Sequence, residues 1–288
     1  LYVQGENPAM SDPDQIHSRK ALAKLEHLVV QDIFMTETAW NADIILPASA
    51  HAEKTGTYTN TNRQVQIGRA VVEPPKEVRQ DWWIIQEIAK RMGLGWDYKS
   101  PKDIFDEMKL VMPSLDNISW ERLEKDNHVT YPVKSELIPG EDIIFTNGFP
   151  TSNNLAKIIP VNLINPNDEL NSDFPLILST GRLLEHWHTG TMTRRALVLN
   201  ELEPDPMIFM SQVDSNFYNL DLNKSVIIET RRGKISIKIR HDDDLLPGMI
   251  FLPFCFKEAA ANILTNSDLD PIGKIPELKF SAARVYQN

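Results

Sequence analysis

The sequence contains a single cysteine, Cys255, among 288 residues. That excludes an internal disulfide framework. It also excludes an iron–sulfur cluster or a cysteine-rich zinc site built from this chain alone. Apolar runs are short. The longest, Met249 to Phe256, is interrupted by Pro253 and falls well below the ~18 apolar residues of a membrane span. Basic residues are in deficit: 30 Lys and Arg stand against 40 Asp and Glu, for a net charge of −10. A general nucleic-acid-binding face does not fit that balance, although a local basic patch does. There is no GxGxxG loop, so the nicotinamide-cofactor signature is missing. No internal repeat and no low-complexity run is present.

What is there is globular. Hydrophobic residues make up 42% and charged residues 24%, enough apolar surface to offset the entropy of ordering the chain. The length suggests about two domains. The chain opens on Leu1-Tyr2-Val3-Gln4, strand-like and without an initiator Met. We therefore expect a piece of a longer protein, for which the lack of a signal peptide here carries no information. A cytoplasmic setting is the default expectation.

The first part reads as an α/β half. Residues 1–4, Leu28-Val29-Val30 and Asp43-Ile44-Ile45-Leu46 are apolar strands. Ser11-Asp12-Pro13 is expected to open a helix, and Thr36 a one-turn helix through Trp40. Continuous apolar strands alternating with helices predict a parallel sheet. His51 to Gln66 reads as a long polar loop. Asp81 is expected to cap an amphipathic helix ending at Gly93, and Ser100-Pro101 to start another through Met112. Residues 113–170 read as a connecting region with a short helix near Trp120 to Lys125. Beyond it come short strands: Phe174 to Ser179, Met207 to Met210, a hairpin over Ser225 to Arg240, and Met249 to Phe254. Many short strands with turn signals predict a small β-barrel. The expected domains are thus 1–112 (α/β), 113–170 (connection) and 171–288 (barrel).

The densest polar cluster is Thr180-Gly181-Arg182-Leu183-Leu184-Glu185-His186-Trp187-His188-Thr189-Gly190-Thr191-Met192-Thr193-Arg194-Arg195. Glycines admit an anion close to backbone N–H groups, arginines match phosphate oxygens, and hydroxyls add donors. In an acidic chain this points to a phosphate or pyrophosphate partner; the alternative is a surface turn pairing with the chain's own carboxylates. His186 and His188 would share a face if the segment were a strand, but no third metal ligand accompanies them. The strand ends offer Asn7, Gln31 and Asp32, where open α/β sheets place their ligands. Asp32 can bind a ribose diol or the N–H edge of guanine, or simply cap the next turn. Lys54 is a candidate phosphate or base contact, otherwise a solvated lysine. Asn262 is a ligand contact or part of a polar face. Cys255, between Phe254 and Phe256, reads as a buried inert thiol.

Six stretches, in order, resemble one family: GENPAMSDPD (5–14), VVQDIFMTET (29–38), ADIILPA (42–48), EKTGTYTNTNRQVQ (53–66), TGRLLEHWHTGTMTRR (180–195) and FKEAAANILTNSDLDPIGKIPE (256–277). They are similar to the C-terminal part of the molybdopterin-guanine-dinucleotide oxidoreductases of the dimethyl-sulfoxide-reductase superfamily, above all formate dehydrogenase catalytic (alpha) subunits. The resemblance implies a molybdenum or tungsten bis-molybdopterin guanine dinucleotide cofactor. It implies a partial Rossmann-like domain followed by a double-psi β-barrel. It assigns Asn7, Gln31, Asp32, Lys54 and Asp81 to one nucleotide arm, Thr180 through Thr189 to the pterin and its phosphates, Asn262 and Lys279 to late barrel contacts, and Phe254 to the substrate approach. The family's Cys or selenocysteine metal ligand and its 4Fe-4S cluster match nothing here. The resemblance therefore implies a cofactor-capping part that is inactive alone, with no catalytic residue and no metal ligand in this chain. Expected partners are formate, the rest of the catalytic subunit and an electron-transfer subunit or acceptor. The alternatives are a related molybdoenzyme such as a nitrate reductase, or a stand-alone nucleotide- or pterin-binding module.

Overall fold

A computed structural model of the chain describes residues 1–287. The chain forms two compact units, one of Leu1–Ile45 with Leu163–Asn288, the other of Leu46–Asn162.

The first unit begins with β1 (Tyr2–Gln4), α1 (Pro8–Ser11), α2 (Gln15–Leu22), β2 (Val29–Asp32) and the start of β3 (Ile44–Pro47). The sheet order is β1-β2-β3, and β1 runs parallel to β2 with Val3 opposite Val30. Val3, Ala9, Leu22, Leu28 and Val30 form its core. The one-turn helix expected from Thr36 through Trp40 is a 3-10 turn over Ala39–Asn41 with Thr38 at its N-cap; the Thr36 hydroxyl accepts from the Ala39 amide at 3.1 Å. The helix start at Ser11-Asp12-Pro13 is corrected. A helix already begins at Pro8, and Asp12 is extended with ψ 144, the conformation forced on a residue before proline. The second helix is capped by Asp14 instead, whose carboxylate accepts from the His17 amide.

The second unit contains β4 (Gly56–Thr59), β5 (Gln64–Gly68), α3 (Asp81–Arg91), α4 (Pro101–Val111), α5 (Trp120–Asp126) and β6 (His128–Thr130). These strands make an antiparallel sheet in the order β4-β5-β6. The loop expected over 51–66 is therefore corrected to a hairpin. Thr57, Tyr58, Val65 and Ile67 are strand formers, and Arg63, at φ +67, closes the turn. Asp81 is not the cap of its helix. Gln80 takes the N-cap position and Asp81 is the first helical residue. Val65, Phe105, Ile118, Leu123 and Val129 fill this core.

The first unit then resumes with β7 (Leu176–Gly181), α6 (Leu197–Leu202), β8 (Met207–Met210), α7 (Gln212–Phe217), β9 (Val226–Thr230), β10 (Lys234–His241), β11 (Met249–Pro253) and β12 (Ser281–Tyr286). The strands close into a barrel in the order β10-β8-β11-β7-β12-β9. The β10–β8 and β11–β7 pairs are parallel. Along β10, Ile235, Ile237 and Ile239 are buried while Lys234, Ser236 and Lys238 are exposed, the alternation legible in the sequence. Cys255 lies beyond the end of β11 rather than on it.

The barrel is latched by a buried carboxylate. Asp168, 3% exposed, accepts the Ala282 amide at 2.9 Å. It pairs with Arg231 and, at 2.9 Å, with Arg232. Both arginines stand at the tip of the β9–β10 hairpin, so the latch ties the incoming chain to that turn and to β12.

Candidate functional site

Strand β7 delivers the polar cluster. At its end Thr180 is buried, its hydroxyl donates to Leu278 O at 2.7 Å, and its carbonyl accepts from the Lys279 ammonium. Gly181 follows where a side chain cannot. A Cβ there would lie 2.5 Å from the Phe251 ring. We expect Gly181→Ala to displace Phe251 and to destabilise the fold by about 1–3 kcal/mol, as overpacked cores are, measured as a lowered urea midpoint; an unchanged midpoint would contradict this contact.

From Arg182 the chain leaves the strand and bends. Arg182 stacks on Trp187 at 5.2 Å and on Phe254 at 5.5 Å. Leu184 and Trp187 are exposed, while Leu183, Glu185 and Thr189 are half-buried. His188 takes a positive φ of 50. The pairing of His186 and His188 on one strand face is thereby corrected, because the segment is not extended after Gly181. His186 is buried, with Nε2 at 2.9 Å from Glu203 O and its ring against Phe256. His188 packs on Phe254 instead. The His186 Nδ1 atom is buried with no partner in the protein.

Burial and the nearby Arg182 cation hold the His188 imidazole below its ordinary value. The folded state thus favours the neutral ring. Stability from this group is complete above the unfolded histidine value and falls as pH drops through it toward the folded one. Against His188→Asn, wild type should lose ground between about pH 7 and pH 5. Urea midpoints at each pH test this, and a pH-independent difference would refute it. Desolvation, with Arg182 again, holds the Lys279 ammonium below its usual value.

Beside this loop lies a cavity of about 330 Å³, lined by Thr189, Thr191, Arg194, Arg195, Lys257 and Glu37 among others. Arg194 is neutralised by Glu258 at 2.6 Å. Arg195 bonds to backbone carbonyls and lies over Phe34 at 4.5 Å. Among the described residues neither Arg195 nor Lys257 forms an ion pair. Two unneutralised cations and two threonine hydroxyls suit an anionic ligand. Glu37 and Glu258 were not singled out from the sequence; for Glu258, which pairs with Arg194, the surplus of cations in 180–195 is the signal. Cys255 also lines the cavity, but burial pushes its thiol up to about 12, so it stays protonated and unreactive.

The strand-end residues fall into two groups. Asn7 and Gln31 are buried at the ends of β1 and β2. Asn7 accepts from the Thr38 amide at 3.1 Å and hydroxyl at 2.8 Å, and donates to Glu37 at 2.8 Å and Thr191 at 3.4 Å. Gln31 accepts from the Tyr2 hydroxyl. The Asp32 carboxylate accepts the Ile33 amide at 2.6 Å. Lys54 and Asp81 lie in the second unit and pair with each other. They border a separate cavity of about 260 Å³ with Gly56, Tyr58, Trp82 and Phe105. Among the described residues no group of three or more His, Cys, Asp or Glu side chains could hold a metal ion. No helix among them is long and apolar enough to cross a membrane.

The comparisons with known proteins converge on one class. Residues 1–91 match the molybdopterin oxidoreductase family, and residues 176–282 match the molydopterin dinucleotide binding domain. Relatives that match nearly the whole chain include formate dehydrogenase alpha subunits. It is 44% identical over 287 residues to the F420-dependent formate dehydrogenase subunit alpha of Methanocaldococcus jannaschii, covering 99% of this chain and 42% of that protein. It is 38% identical to the F420-dependent formate dehydrogenase 1 subunit alpha of Methanococcus maripaludis, with the same coverage. Formate dehydrogenase H of Escherichia coli is 32% identical over 99% of this chain and 40% of its own length. The chain thus spans well under half the length of these relatives. Among solved structures, the acetylene hydratase of Pelobacter acetylenicus shares the fold at a TM-score of 0.77 and 21% identity, over 100% of this chain and 44% of that one.

Proposed function

We propose that these residues are the C-terminal, cofactor-capping part of a formate dehydrogenase catalytic subunit, and that they hold one face of a molybdenum or tungsten bis-molybdopterin guanine dinucleotide. The observation that carries the reading is the cavity beside residues 180–195. Its Arg195 and Lys257, which form no ion pair among the described residues, and its threonine hydroxyls fit a polyanionic ligand. The identity to formate dehydrogenase alpha subunits over 99% of the chain supports formate as the substrate of the longer protein. The two parallel strand pairs in a closed six-stranded barrel support the double-psi arrangement.

When bound, the cofactor supplies the two-electron redox chemistry; the protein supplies binding, orientation and electrostatics. Thr180 through Thr189 and Lys279 would wrap the pterin and its phosphates. The neutral His188 offers one donor and one acceptor. Asn7, Gln31 and Asp32 would serve the nucleotide arm at the strand ends. For Lys54 and Asp81 a nucleotide contact rests on the family resemblance alone. Phe254, between Arg182 and His188, would line the substrate approach. We expect the metal ligand and a 4Fe-4S cluster in other parts of the catalytic subunit. Electrons would leave to a partner subunit or acceptor; the relatives at 38–44% identity are F420-dependent by name, and we extend that acceptor to this protein. The longer protein should reduce F420 with formate. Turnover of nitrate with no formate oxidation would refute the substrate.

A further inference from the structure

Helix α1 has one turn, and its last carbonyls have no partner within the helix. They are met from 252 and 251 residues away: the Asn262 amide donates to Met10 O at 2.9 Å and to Ser11 O at 3.0 Å. Asn262 is 3% exposed. Its own oxygen accepts from the Thr265 hydroxyl at 3.3 Å. Three residues on, Thr265 O accepts the Asp14 amide at 3.2 Å. The loop after β11 therefore clasps the end of α1 and the start of α2 in one grip.

The same turn reaches the cofactor-loop side through a second asparagine. Asn7, which precedes α1, donates to Thr191. The short stretch from Asn7 to Asp14 is thus held at one end by the 180–195 segment and at the other by the 262–265 loop. An amide nitrogen has only two hydrogens, and Asn262 spends both inside the protein.

We propose that Asn262 is not a cofactor ligand but a positioning residue. It caps α1 from the barrel, and so holds the Asn7 turn against the loops that form the candidate cradle. The proposal rests on the reading that this cradle holds the pterin dinucleotide, and it departs from the contact that the family resemblance assigns to Asn262.

The test uses the longer protein, isolated both loaded and from a host unable to make the cofactor. Amide exchange is followed over residues 9–16. In Asn262→Ala, exchange there should rise by about tenfold, the effect of losing a buried hydrogen-bonded cap, in the cofactor-free and the loaded protein alike. Release of guanine from the loaded protein should quicken. Ile228→Val, a barrel-core change of general destabilising effect, should move neither the local exchange nor the release. Asn262→Asp should behave like the alanine variant at neutral pH. It should recover protection in acid, where the protonated carboxyl regains a donor. Unchanged exchange in the cofactor-free protein, with an effect only in the loaded one, would make Asn262 a direct ligand and overturn the proposal. So would a failure of Asn262→Asp to recover in acid. A wild-type protein containing no guanine would instead overturn the functional reading, while the cofactor-free exchange would still decide the role of Asn262.

Discussion

Replacing Asp168 by alanine should cost about 3 kcal/mol or more of unfolding free energy, the usual penalty for removing one partner of a buried ion pair. The reason lies in what remains. Arg231 and Arg232 converge on this one carboxylate, which also takes the Ala282 amide. Arg231 can turn toward solvent, since it already stacks on Phe174 and is a third exposed. Arg232 is more confined. The lost charge therefore leaves a half-buried guanidinium and an unsatisfied strand amide together. Urea unfolding of the variant measures the effect. A loss under about 1 kcal/mol would place Asp168 among ordinary surface pairs and contradict the latch. Asp168→Asn should fall between, because its amide oxygen still accepts from Ala282 while the charge is gone.

Arg182→Ala should strip the cofactor while leaving the fold intact. Arg182 is exposed and contributes no hydrogen bond to the barrel core; its guanidinium rests between Trp187 and Phe254. Burial is the larger cause of the lowered His188 and Lys279 values, and the Arg182 cation adds to it at both. A lost charge-assisted contact to phosphate weakens binding by about tenfold or more. Guanine and metal content of the purified longer protein should fall accordingly, while the cofactor-free forms of variant and wild type melt at the same temperature. Full cofactor content would refute the phosphate role of the segment. Removing Arg182 should also let His188 and Lys279 return toward their ordinary values.

The parts of the fold that were legible in the sequence are those governed by local periodicity. Alternation over Ile235, Ile237 and Ile239 gave β10 and its buried face, and Ser100-Pro101 marked the start of α4 with its capping side chain. The hairpin at Gly56 to Gly68 was not legible, because its polar Thr, Asn and Gln residues look like loop until β5 is paired on both sides. Asp81 was misread as a cap because aspartate suits both the N-cap and the first turn; its pairing with Lys54, 27 residues away, is not a sequence signal. The histidine pair failed for a related reason. Spacing places two side chains on one face only if the segment stays extended, and the strand ends at Gly181. The dense polar segment itself was visible from composition alone. Its acidic partner Glu258 and the cavity-lining Glu37 were not, since only tertiary structure brings them to the cavity.

The central claim is that these residues cradle a metal-bound pterin guanine dinucleotide. The direct measurement is the guanine and metal content of the longer protein as purified, by nucleotide release and elemental analysis. The account predicts molybdenum or tungsten together with guanine nucleotide, both diminished in Arg182→Ala. A fully folded protein with neither guanine nor either metal, from a host that makes the cofactor, would contradict it.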